Sequence, residues 1–169
     1  SLRSPGVSPE RLLNVVGELS LVAGAPGLVG GQVVDLECEG KEVDLETLEY
    51  IHLHKTGALL KACVRTGAMI AGADTKMLDA LTKYARGIGL AFQIIDDILD
   101  VTSNSEILGK TAGKDLLADK TTYPKLLGLE ESKRRALSLV NNAKEAIMPW
   151  GEDAICLIAL ADFITNRDR

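Results

Sequence analysis

The chain contains 169 residues, 46% of them hydrophobic and 25% charged, and carries a formal net charge of -5 at pH 7. This length and apolar content are enough for a sizeable core, so residues 1–169 are expected to form a single domain. Lysines and arginines are interleaved with acidic residues and form no basic patch, which argues against nucleic acid as a partner. No uninterrupted apolar run reaches the roughly 18 residues that a bilayer-spanning helix needs, so no transmembrane segment is expected.

Helix signals and breakers organise the first forty residues. Ser8-Pro9-Glu10 combines a capping serine, a proline at the first helical position and an acid in the first turn, which predicts a helix to about Leu21. Proline and glycine at 24–27, and the glycines at 30–31, predict turns before a short helix over residues 32–40. The paired glycines do not follow a strand, so we interpret them as a close helix contact and not as a nucleotide loop.

A long helix is predicted next, with Asp44 as its cap and an end near Ile70. Its middle contains Lys55, Thr56 and Gly57, where the glycine costs about 1 kcal/mol relative to alanine. A kink or the close approach of a ligand would explain that cost. From the residues alone, an ordinary surface lysine beside a packing glycine is the simpler interpretation.

Two histidines precede that lysine. His52 and His54 are two residues apart, so on a helix they face different directions and cannot form the i, i+4 pair of a zinc site. The three cysteines, Cys38, Cys63 and Cys156, are odd in number and widely separated. They fit neither a disulfide framework nor a paired metal site, and a reducing compartment is expected.

The following helix carries a cluster of carboxylates. Its apolar residues advance by steps of three and four and predict one buried stripe: Leu78, Leu81, Ala85, Ile88, Phe92, Ile95 and Leu99. At about 100° per residue, Gln93, Asp96 and Asp100 fall on the strip beside it, with Asp97 further round toward the polar side.

Asp96 and Asp100 therefore lie one turn apart, and two like charges at that spacing destabilise a helix unless a cation lies between them. Mg²⁺ prefers oxygen ligands and is usually held by one or two carboxylates together with substrate phosphates. Lys110, Lys114 and Lys120 follow in a glycine-punctuated segment, and lysine is a mobile point charge for phosphate oxygens. The carboxylate cluster alone fits a solvated helix end equally well.

Two more helices are predicted after Lys120, over residues 131–146 and 153–166. The second is apolar nearly all round, so it is either central or part of a subunit contact. Trp150 is expected to anchor the turn between them, and no strand alternation persists long enough to predict a sheet.

Residues 92–100, followed by the Gly-Lys and Asp-Lys residues at 109–115 and 119–120, resemble the second aspartate-rich region of the trans-isoprenyl diphosphate synthases. The plant geranylgeranyl diphosphate synthase type is the most similar, and residues 31–36 and 51–60 agree with it. The resemblance implies an all-α, isoprenoid-synthase-type bundle around a hydrophobic cavity, with Mg²⁺ and diphosphate at its mouth. It implies that an allylic diphosphate is condensed with isopentenyl diphosphate.

The resemblance also implies roles for individual residues. Asp96 and Asp100 would be metal ligands, with Asp97 a supporting or water-mediated one. Lys55, Lys110 and Lys120 would hold the allylic diphosphate. Thr56 and Gln93 would help to position it.

The family carries a first aspartate-rich motif and an arginine pair upstream, and neither is present here. The chain also begins at Ser1, so it is expected to represent the C-terminal half of a synthase domain. The alternatives are a non-catalytic or regulatory subunit of a heteromeric synthase, an inactive fragment, or a terpene cyclase. The resemblance further implies a homodimer or a heterodimer with a related subunit, and a plastid location with the cytoplasm as the alternative.

Overall fold

The computed structural model describes residues 6–107 and 121–166, and these form helices and turns with no strand. In chain order the α-helices are α1 (Pro9–Ala23), α2 (Leu28–Glu37), α3 (Leu45–Ile51), α4 (Ala58–Ala71), α5 (Thr75–Ile107), α6 (Tyr123–Leu127), α7 (Leu129–Ile147) and α8 (Ile155–Asn166). A π-helix, His52–Gly57, joins α3 to α4, and a 3₁₀ segment, Met148–Ala154, joins α7 to α8. The all-α prediction is confirmed for the described residues.

Helix α5 is the centre of the bundle and packs against α4, the π-helix, α7 and α8. Its first half buries Tyr84, Ala85 and Ile88 against α7 and α8. Its second half buries Ile94 and Ile98 in a second cluster with α3 and α7. Both apolar clusters therefore depend on one helix, and its second half carries the aspartates.

The buried stripe of α5 differs from the predicted one in this second half. Ala91, Ile94 and Ile98 are the most deeply buried apolar residues there, while Phe92 and Ile95 are only half-buried. The stripe is displaced because α3 and the residues around Tyr123 cover a second side of the helix. The prediction that Asp97 points to the polar side is wrong, since Asp97 is 5% exposed.

The cap predicted for α1 is confirmed, because the backbone N–H of Arg11 donates to Ser8 Oγ at 3.3 Å. The predicted start of α2 is wrong, since the helix begins at Leu28 and includes both glycines at 30–31. The predicted close helix contact is confirmed at Gly31, which lies against the backbone of the π-helix, and Gly30 packs against the preceding turn. A Cβ on Gly30 would lie 2.1 Å from the carbonyl oxygen of Ala25.

One described stretch, Pro9–Glu37, is long and apolar enough to cross a membrane by length and composition alone. In the structure this stretch is two helices separated by the turn at 24–27. Helix α1 packs along α4, and α2 packs along the π-helix. The absence of a transmembrane segment stays a prediction.

The long helix predicted from Asp44 to Ile70 is observed as α3, the π-helix and α4, ending at Ala71. Asp44 caps it, since its Oδ1 accepts the N–H of Thr47 at 2.9 Å. The irregularity predicted around Gly57 takes the form of a π-helix. Single π turns inside α-helices occur frequently at functional sites.

The C-terminal helices agree with the predicted ones to within two residues at each end. Trp150 packs against the core, as predicted for the turn between them. Helix α8 buries Ala161 and Ile164 but leaves Ile155 and Phe163 each 64% exposed. Helix α6 was not predicted, because five residues around a proline carry too little periodicity.

Replacing Tyr84 by Phe tests the core. The Tyr84 hydroxyl donates to the carbonyl of Leu157 at 2.6 Å, and its loss should lower the free energy of unfolding by about 1 kcal/mol. Burial raises the pKa of Tyr84 to about 12. Above pH 10 the unfolded tyrosine ionises first, so the unfolded state binds fewer protons and stability falls as pH rises.

Urea unfolding between pH 9 and 11 measures both effects. The Tyr84→Phe variant should be less stable at pH 9 and should lose less stability than the parent protein toward pH 11. An identical pH dependence in the two proteins would show that Tyr84 is not the group responsible.

Candidate functional site

A cavity of about 360 Å³ opens between α2, α3, the π-helix and α5. Polar side chains from four stretches of the chain line it, including Asp35, His52, Lys55, Gln93 and Thr121. Apolar residues, among them Val43, Leu48 and Ile51, cover the rest of its wall. A concave, partly apolar cavity with a few convergent polar groups is typical of a small-molecule site.

Glycines on both sides fix the position of the π-helix. A Cβ on Gly31 of α2 would lie 2.3 Å from the backbone nitrogen of Lys55 and 2.8 Å from the carbonyl carbon of His54. A Cβ on Gly89 of α5 would lie 3.1 Å from the Cα of Gly57. The π-helix is thus held between two neighbouring helices that approach its backbone closely.

Lys55 is paired with a carboxylate of α2. Its Nζ donates to Asp35 Oδ2 at 2.5 Å, and the two side chains are 35% and 20% exposed. Asp35 was given no role from the sequence, although it lies in one of the stretches that carry the family resemblance. The sequence signal that could have identified Asp35 is its position one helical turn after Gly31. Gly31 is the residue at which α2 contacts the backbone of Lys55.

Gln93 links the cavity to the predicted metal ligands. Its side chain lines the cavity, and its Nε2 donates to Asp96 Oδ2 at 3.1 Å. Asp96 is half-buried, whereas Asp100, one turn further along α5, is exposed. The predicted adjacency of Gln93 and Asp96 is therefore observed, at the edge of the cavity that contains Lys55.

Asp96 and Asp100, one turn apart on α5, offer carboxylate oxygens, which are the donors that a hard cation prefers. Within residues 6–107 and 121–166, no group of three or more His, Cys, Asp or Glu side chains is arranged to hold a metal by itself. A pair of carboxylates matches the way Mg²⁺ is bound together with substrate phosphates.

Asp97 points the other way, into the bundle. Its Oδ2 accepts the backbone N–H of Tyr123 at 2.9 Å and lies 3.3 Å from His52 Nε2. This carboxylate is engaged with the protein interior, whereas Asp96 is half-buried and Asp100 exposed.

Of the other residues predicted to bind the diphosphate, the structure describes Thr56 but not the three lysines after α5. Thr56 follows Lys55 in the π-helix and is half-buried. Lys110, Lys114 and Lys120 lie outside the described residues.

Structural comparison places this helical arrangement among prenyl diphosphate synthases. An FPP/GFPP synthase from Zymomonas mobilis superimposes with a TM-score of 0.80 at 34% identity, over 93% of this chain and 52% of that one. A geranyltransferase from Helicobacter pylori, complexed with magnesium and isoprenyl diphosphate, gives a TM-score of 0.74 at 28% identity, over 95% of this chain and 53% of that one.

Sequence comparison gives the family. The polyprenyl synthetase family model matches residues 11–148, and the chain belongs to that family. A chloroplastic geranylgeranyl pyrophosphate synthase from Catharanthus roseus is 54% identical over 165 residues, which cover 96% of this chain and 46% of the relative. The chain spans about half the length of the curated relatives it matches.

Replacing Gly31 by Ala tests the placement of the π-helix. The new methyl group would collide with backbone atoms that cannot rotate away, so we expect a loss of about 1–3 kcal/mol in the free energy of unfolding, measured in urea. Gly67→Ala in α4 is the matched control, because a Cβ there meets nothing within 4 Å. The control should be neutral or more stable by up to about 1 kcal/mol. Equal stabilities for the two variants would contradict the close contact.

Proposed function

We propose that the protein is a prenyl diphosphate synthase of the geranylgeranyl type, which condenses an allylic diphosphate with isopentenyl diphosphate. The observation that carries this proposal is that Lys55 and Gln93 line one cavity and that Gln93 donates to Asp96. A cation for phosphate is thereby linked, through Gln93, to a carboxylate for a metal. The described residues would supply the metal and allylic-diphosphate side of the site.

Asp96 and Asp100 would hold Mg²⁺, and the hydrogen bond from Gln93 would orient the carboxylate of Asp96. Lys55 would bind the diphosphate, and its pairing with Asp35 keeps the ammonium at the cavity before a ligand arrives. Thr56 is proposed as a further positioning group. Lys110 and Lys120 are proposed as additional diphosphate ligands by family resemblance alone.

The reaction requires stabilisation of a leaving group. The bond between the allylic carbon and the diphosphate oxygen breaks, and its electron pair leaves with the diphosphate. The double bond of isopentenyl diphosphate forms the new carbon–carbon bond, and a proton is then lost. Bound Mg²⁺ would neutralise charge on the departing diphosphate. Lys55 would favour the same step, because a preorganised cation stabilises the charge that develops in the transition state.

The metal, the location and the assembly are proposed on the same basis. The Helicobacter pylori structure contains magnesium with an isoprenyl diphosphate, and the Catharanthus roseus relative is named chloroplastic. We therefore propose Mg²⁺ as the cofactor and the plastid as the compartment. Apolar side chains exposed on α1 and α2, including Leu13 and Leu36, support a homodimer or a heterodimer with a related subunit.

Removing one carboxylate at a time tests the metal site. Asp96→Asn and Asp100→Asn, made in the longest form of the protein, should each lower Mg²⁺-dependent condensation by about 100-fold or more, the cost of losing a preorganised charge stabiliser. Asp79→Asn is the matched control, since Asp79 is an exposed carboxylate near the other end of α5. Turnover is measured with radiolabelled isopentenyl diphosphate.

Full activity in both variants would refute the metal assignment. Product release from the allylic substrate without isopentenyl diphosphate would refute the synthase and indicate a cyclase.

Lys55→Gln tests the diphosphate contact. A charge-assisted hydrogen bond contributes about 1.5–3 kcal/mol, so kcat/KM for the allylic substrate should fall about 10- to 100-fold. Lys61→Gln, on the next helix, should change it by less than about twofold because a half-exposed lysine there contributes little. Equal effects of the two substitutions would remove Lys55 from the site.

A further inference from the structure

Three residues from separate parts of the chain form a buried cluster beneath the carboxylates. Asp97 is 5% exposed, His52 is 4% exposed and Tyr123 has no exposed surface. Asp97 Oδ2 accepts the backbone N–H of Tyr123 at 2.9 Å and lies 3.3 Å from His52 Nε2. The rings of His52 and Tyr123 are stacked, with centroids 5.7 Å apart and planes 11° apart. The carboxylate thus has a fixed direction.

Glu49 and Arg135 hold Tyr123 in place. Its hydroxyl donates to Glu49 Oε1 at 2.9 Å, and Arg135 donates to the same oxygen at 2.5 Å. The Arg135 guanidinium carbon lies 5.9 Å from the centroid of the tyrosine ring. Burial, together with the bond to Glu49, raises the pKa of Tyr123, so the hydroxyl stays protonated and donates.

The cluster joins the two parts of the proposed site. His52 is the first residue of the π-helix, three positions before Lys55. Asp97 lies between Asp96 and Asp100 on α5. A helix turns about 100° per residue, so a fixed direction for Asp97 also fixes the directions in which its two neighbours leave the helix.

We propose that His52 is a positioning residue for the metal site, acting through Asp97 to hold the carboxylates of Asp96 and Asp100 in register with Lys55. This inference rests on the proposed function. In this proposal Asp97 accepts hydrogen bonds inside the bundle, and Asp96 and Asp100 bind the metal. Groups that orient metal ligands are needed for affinity, and their loss typically costs 10- to 100-fold in metal binding.

The test separates hydrogen bonding from packing. His52→Gln keeps an amide N–H near the position of Nε2, while His52→Phe keeps a ring to stack on Tyr123 but removes the donor. His54→Phe is the control, because among the hydrogen bonds of the described residues His54 bonds only to the carbonyl of Tyr50, one turn earlier at the end of α3. Binding of Mg²⁺ with inorganic diphosphate is measured by calorimetry on the longest form of the protein. Thermal unfolding of each variant is recorded in parallel.

We expect His52→Phe to weaken Mg²⁺ binding about tenfold, with His52→Gln and His54→Phe within about twofold of the parent protein. If His52→Phe does not fold, His52→Asn replaces it, because its shorter amide cannot reach Asp97. A lower unfolding temperature with unchanged Mg²⁺ affinity would overturn the inference and leave His52 a stability residue. Failure of the parent protein itself to bind Mg²⁺ with diphosphate would instead overturn the proposed function.

Discussion

The arrangement of the site depends on one buried carboxylate, that of Asp97. A carboxylate removed from water is costly unless it is hydrogen-bonded, so its partners must be in place whenever the bundle is folded. Those partners lie 45 residues before it, at His52, and 26 residues after it, at Tyr123. Three distant parts of the chain therefore contact each other at Asp97 Oδ2. In the proposed site, these contacts also orient the neighbouring Asp96 and Asp100.

On the side of the cavity formed by α2 and the π-helix, contact between the two backbones fixes the positions of the side chains. Gly31 lets α2 approach the π-helix at Lys55, and the same helix carries Asp35 one turn later. The ion pair between Asp35 and Lys55 therefore follows from the close contact of two backbones. Gln93 completes the arrangement from α5, since it faces the cavity and donates to Asp96. The Lys55–Asp35 pair is thus positioned by the close contact of α2 with the π-helix.

Much of this could be predicted from the sequence, because the signals were local. The caps at Ser8 and Asp44 use hydrogen bonds to nearby residues, and the adjacency of Gln93 and Asp96 follows from helix geometry. The direction of Asp97 could not be predicted, because periodicity describes a helix buried on one side and α5 is covered on two. A histidine 45 residues away, which no zinc pattern would select, satisfies the carboxylate.

The glycines at 30–31 could be interpreted only in part. The turn predicted there is absent, but the predicted close helix contact is observed at Gly31, which lies against the backbone of Lys55. Gly30 lies instead against the carbonyl oxygen of Ala25, in the turn before its own helix.

The π-helix has a consequence for how the length of the chain can vary. A hydrogen bond to the fifth residue instead of the fourth accommodates one extra residue in a turn, so α3 and α4 are out of phase by about 100°. Helix α3 buries Leu48 toward Tyr123, while α4 buries Ala58 and Ala62 toward Val22 of α1. Deleting one residue within His52–Gly57 would restore a regular helix and turn α4 away from α1. The residue count of this segment is therefore itself a structural constraint, and a change of length is better tolerated in the turns before α3 and after α4.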